Sequence, residues 1–95
     1  MQVEVVRRGG IAGLTLRGAV DTADLPTAQA AMADAALRAL PFDRPPLPPR
    51  HPDSFQYELT IVGEGARRSL VLDEDQVPED LRPVIDAAVA QGRID

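Results

Sequence analysis

The chain has 95 residues, no cysteine and a formal net charge of −5. That length supports one small core and leaves little room for a deep substrate cavity. The missing cysteine excludes disulfides, zinc ribbons and thiol catalysis, and the acidic balance argues against a nucleic-acid partner.

The first element is a strand. Val3 and Val5 alternate with Gln2 and Glu4, the period-two pattern of a half-buried strand. A tip follows, Arg7, Arg8, Gly9, Gly10, Ile11, Ala12 and Gly13. Its three glycines allow positive φ without a Cβ clash, so the chain can reverse there. Ile11 is an apolar residue in a turn, which places it either back on the core or out against a partner. Leu14, Leu16, Gly18 and Val20 then share one face of a second strand, paired antiparallel with the first.

Asp21 to Leu25 is a connector, and Pro26 suits an early helix position because its missing N–H costs nothing there. Residues 26–40 are Ala-rich and read as helix. Leu25, Ala28, Met32, Ala35 and Ala39 form its expected apolar stripe, with Met32 in the core. Residues 41–53, PFDRPPLPPRHPD, hold six of the nine prolines. They form a stiff linker that favours polyproline II, with a reach of ~40 Å.

Ser54 to Val62 is the clearest strand, with Phe55, Tyr57, Leu59 and Ile61 on one face. Gly63, Glu64 and Gly65 make a turn into a fourth strand, Ala66 to Leu72. Asp73 to Gln76 is an acidic connector. Pro78 opens a second helix, with Glu79 and Asp80 facing the positive end of its dipole. Leu81, Val84, Ile85, Ala88 and Val89 give that helix its apolar stripe, and Val77 can staple onto Leu81. Pro83 splits off a short first turn. Gly92 stops the helix, and Arg93 to Asp95 are expected to fray.

The expected fold is therefore α+β, in the order ββαββα. A four-stranded antiparallel sheet carries both helices on one face, within a single domain spanning 1–95. The two ββα halves flank the Pro-rich linker and echo each other. Val20-Asp21 and Leu25-Pro26 recur 52 residues later as Leu72-Asp73 and Val77-Pro78. This suggests an internal repeat, and similar strand-to-helix geometry alone would also produce it. The strand order stays open. A linker that stays local puts the tip and linker at one end. A linker that crosses the sheet makes the Gly63–Gly65 turn the neighbour of the tip.

Catalytic chemistry is sparse. His51 is the only histidine, and Asp53 and Ser54 lie too close to it in sequence to converge as a relay. The acidic residues 73–80 lack the alternating ligands and central glycine of a calcium loop. The glycine tip leads into a strand and not a helix, so it is no phosphate cradle. No catalytic residue, metal ligand or cofactor is expected. Two loops instead each display an apolar residue: the tip with Ile11, and the linker with Leu47, near Arg50 and His51.

Four segments, VEVVRRGGIAG, VDTADLP, FQYELTIV and LVLDEDQVPEDLRPVIDA, resemble the emfourin family in content and order. The resemblance implies a bacterial protein inhibitor of thermolysin-like zinc metalloproteases. It implies a protease partner, blocked by loops filling its cleft without contact to the zinc. The expected contacts are Arg8 to Gly13, with Leu47, Arg50 and His51. The alternative is a non-inhibitory interaction module, including a homodimer through the sheet or an edge strand. With no cysteine, no spanning apolar run and a strand-like start, the expected location is the cytoplasm.

Overall fold

The computed structural model describes residues 1–10, 13–42, 44–45, 54–63 and 65–94. Five strands form one antiparallel sheet in the order β4-β3-β1-β2-β5. They are β1 (Gln2–Gly9), β2 (Leu16–Asp21), β3 (Phe55–Gly63), β4 (Ala66–Asp73) and β5 (Arg93–Ile94). The helices are α1 (Thr27–Ala39) and α2 (Arg82–Ala90). Three 3-10 turns, Thr22–Asp24, Glu74–Gln76 and Glu79–Leu81, complete the described elements. The α+β class and antiparallel sheet match the sequence reading. The count of four strands does not.

The fifth strand also corrects the expected fray of Arg93 and Ile94, while Asp95 lies outside the described residues. Arg93 pairs with Arg17 and Ile94 with Leu16. Gly92 explains why. A Cβ there would lie 2.4 Å from Leu16 Cδ2 and 3.0 Å from Arg17 O. The missing side chain lets the chain run hard against β2 after α2 ends. Two paired residues are too short a run to leave a periodic signal in the sequence.

Side-chain alternation divides the sheet. Val3, Val5, Val20, Tyr57, Leu59, Leu70 and Leu72 are buried on the face that carries the helices. From α2 and the turn before it come Leu81, Val84, Ile85 and Ala88. This stripe is the expected one, and Pro83 does follow a separate turn, Glu79–Leu81. From α1 come Ala33 and Leu37, with Ala36 and Leu40 packed against them.

The first helix therefore lies in a different phase from the expected one. Leu37 is fully buried, while Met32 is 53% exposed. The expected stripe counted from Leu25, which precedes the helix and belongs to the connector. Alanines occupy both faces, so they do not choose between phases. Burying Leu37 and Leu40 together outweighs burying Met32 among alanines.

The opposite face is polar and cross-linked. Arg67 pairs with Glu4, and Arg8 lies 3.9 Å from Glu58. The Thr60 and Ser69 hydroxyls are 2.8 Å apart, and Gln56 Nε2 donates to Asp73 Oδ1 at 3.1 Å.

The 52-residue offset also appears in the strand pairing. Val6 pairs directly with Glu58, the residue 52 positions later. Pairing of β1 with β3 is thus centred on equivalent positions, and the hairpins extend outward on either side. Both hairpins end at an aspartate followed by a 3-10 turn. Asp21 accepts from the Ala23 N–H at 3.0 Å, while the Asp73 N–H donates to Gln76 Oε1 at 3.1 Å.

Candidate functional site

Strand pairing decides where the glycine tip lies. Gly9 pairs with Phe55, and the Gly10 N–H donates to Ser54 O at 3.3 Å. The tip is thus fastened to the start of β3, where the Pro-rich linker rejoins the sheet. At the opposite end, Gln2 pairs with Val62 and Gly63 with Ala66. The Gly63–Gly65 turn is therefore not the neighbour of the tip, against one of the two arrangements expected from sequence.

Three glycines shape the tip. Gly9, Gly10 and Gly13 have φ of 93°, 77° and 65°, in the left-handed region where a Cβ is disfavoured. Two also permit close approach. A Cβ on Gly9 would lie 2.8 Å from Ser54 O, and one on Gly10 would lie 2.6 Å from Phe55 Cε1. The Gly13 N–H returns to Gly10 O at 3.2 Å and closes the loop on itself. The reversal is fixed by backbone hydrogen bonds and by an aromatic ring seated against bare backbone.

Beneath the tip lies a cavity of about 160 Å³. Gly9 and Gly10 form one wall, with Phe55 and Leu16 behind them. Leu14 and Ile94 also line it, and they are 52% and 61% exposed. Arg7 supplies the charged part of the lining, its guanidinium carbon 4.3 Å from the Phe55 ring centroid. Phe55 in turn meets Tyr57 at 6.5 Å between centroids, a tilted aromatic pair. A broader, open depression on the polar face runs over Val6, Ala19, Arg17 and Arg93.

Of the residues expected to make contact, Arg8, Gly9, Gly10 and Gly13 come together at this end. Ile11, Ala12, Leu47, Arg50 and His51 lie outside the described residues. Sequence reasoning placed Arg7 in the tip but missed Leu14, Phe55 and Ile94 as parts of the same surface. The signal for Phe55 was the pairing of β1 with β3, which needs the strand order. The signal for Ile94 was a two-residue strand. Among the described residues no cluster of acidic, histidine or cysteine side chains could hold a metal ion. Among the described residues no helix is long and apolar enough to cross a membrane.

The chain matches the family described as Emfourin over residues 5–88 and belongs to it. No curated protein and no solved structure matches the chain. The Emfourin family comprises inhibitors of protealysin-type metalloproteases, which supports a protease-inhibitor role in general.

Proposed function

We propose that this chain, acting as one domain, inhibits a thermolysin-like zinc metalloprotease by filling its cleft with the glycine-tip end of the sheet. The observation that carries the reading is the fastening of Gly9 and Gly10 to Ser54 and Phe55. It anchors the base of the loop, at Gly9 and Gly10, before binding. Such a loop loses little entropy when it docks, which is how a small domain can bind tightly. Arg8, Gly9, Gly10, Ile11, Ala12 and Gly13 make the first contact segment, with Ile11 as its apolar anchor. Leu47, Arg50 and His51 make the second. The inhibitor supplies no zinc ligand and excludes substrate by occupation. The cysteine-free composition suits action in the cytoplasm.

A strand-addition module is less well supported. The outer edge strand β4 carries Arg67 and Arg68, and edge charges discourage pairing with another chain. The test is an inhibition assay against a thermolysin-like enzyme. Ile11→Asp should weaken inhibition by ~2 kcal/mol or more, roughly thirtyfold in Kd, as loss of an interface anchor does. A folded Ile11→Asp protein that inhibits like the parent removes the tip from the mechanism.

A further inference from the structure

We infer that the cavity under the glycine tip receives one aromatic side chain, phenylalanine or tyrosine, from the inhibited protease. This inference rests on the inhibitor reading and adds the opposite direction of insertion: the inhibitor accepts a knob as well as presenting one. Size is the first argument. The cavity measures about 160 Å³. An apolar protein cavity of ~150 Å³ holds benzene. A phenyl or phenol ring therefore fits, with its Cβ at the mouth.

The lining is the second argument. Leu14, Leu16, Phe55 and Ile94 give apolar walls, and Gly10 presents backbone without a side chain. Arg7 is the only charged residue among the described lining residues, held 4.3 Å from the Phe55 ring centroid. A guanidinium attracts the electron-rich face of a second ring and repels a lysine or arginine head group. An aliphatic side chain would fill the same volume without that attraction. The chemistry thus favours a neutral ring over both alternatives.

Position is the third argument. Gly9 and Gly10 belong both to the cavity wall and to the proposed contact tip. A partner seated on the tip covers the cavity mouth as well. Leu14 and Ile94 are exposed in the free protein, and an inserted ring would bury both.

The experiment has two arms. In the first, p-cresol, 3-methylbutanol and butylammonium are titrated separately into the full chain and followed by backbone amide NMR. Shifts at Gly9, Gly10, Leu14 and Ile94 with p-cresol, weaker with the alcohol and absent with the cation, support the inference. No shift at these amides with p-cresol, or stronger binding of the alcohol, overturns it. The second arm measures inhibition of a thermolysin-like enzyme by Ile94→Asp and by Leu14→Phe, which fills the cavity from within. Each should weaken inhibition at least tenfold. Parental inhibition by either folded variant overturns the inference and leaves the inhibitor reading standing. If the parent chain does not inhibit, the inhibitor reading falls, and with it the proposed protease occupant, whatever p-cresol shows.

Discussion

Gly18 and Leu70 stand at equivalent places in the two halves of the sheet, 52 residues apart, on strands β2 and β4. Leu70 is buried and fills space over its strand. Gly18 leaves space empty so that α2 can enter it: a Cβ there would lie 2.0 Å from Ala88 O. The hairpins differ in the same way. In the second half only residues 64–65 separate the last paired positions, Gly63 and Ala66. In the first half residues 8–15 lie between Arg7 and Leu16. The added length in the first half becomes the tip and one lip of the cavity. The two hairpins thus meet around the Val6–Glu58 pair, and the proposed function is built where they differ.

The largest test of this contrast is Gly18→Val. Its side chain must displace the backbone of α2, and overpacking against backbone costs ~3 kcal/mol or more. Thermal unfolding should fall steeply or the protein should not fold. Leu70→Ala makes the opposite error, a cavity, and should cost ~2–5 kcal/mol. If Gly18→Val unfolds like the parent, α2 does not lie on β2 as described.

The next test concerns α1. Leu37→Ala should cost ~2–5 kcal/mol, because Leu37 is fully buried. Met32→Ala should change stability by no more than ~0.5 kcal/mol, as exposed substitutions do. Chemical denaturation of both variants measures the difference. Equal losses would restore the helix phase expected from sequence.

That helix shows why part of the molecule was readable in advance and part was not. The faces of β1 and β3 were legible because Val3, Val5, Tyr57 and Leu59 alternate with polar residues, whereas Val71 beside Leu72 left the face of β4 open. The phase of α2 was legible because Leu81, Val84, Ile85 and Ala88 differ sharply from their neighbours. In α1 alanine lies on every side, so the pattern admits two phases and tertiary packing chooses. The candidate site was legible only as its loop. Its glycines announced a reversal, but the ring against them comes from β3, brought in by long-range pairing. Ile94 arrives through a close approach that Gly92 permits. Neither contact has a local signature.

A smaller effect separates the two turns. Gly10 and Gly65 both have positive φ, 77° and 72°. Alanine at either position should cost ~1–2 kcal/mol for the left-handed backbone. Gly65 faces open space, so the cost should end there, with inhibition unchanged. At Gly10 the new Cβ meets the Phe55 ring, which must turn away and reshape the cavity. Gly10→Ala should therefore lose both stability and inhibition. If the two variants match in both measurements, the tip has no role beyond reversing the chain.

The smallest effect lies at the two connectors, where the same residue type is held differently. The Asp21 carboxylate accepts from the Ala23 N–H at 3.0 Å and from the Met1 ammonium at 3.2 Å. These bonds, the Ala23 contact foremost, hold its pKa below the ordinary aspartate value of 3.8. At Asp73 the turn closes as a capping box, the carboxylate accepting from the Gln76 N–H and the Asp73 N–H donating to Gln76 Oε1, and the carboxylate is met by Gln56 where Asp21 has an ammonium. A depressed pKa fixes the sign. The unfolded carboxyl takes up its proton first as pH falls, so the stabilising contribution is complete above the unfolded value. It is lost as pH drops through the lower folded value. Asn at this position can still accept from Ala23 but carries no charge to titrate. Thermal unfolding of the parent and of Asp21→Asn should therefore differ most near neutral pH. The gap should narrow as the pH falls below the aspartate range. A gap that stays constant with pH would mean that the first connector is held by geometry alone. The two connectors would then be equivalent in the one respect in which they are argued to differ.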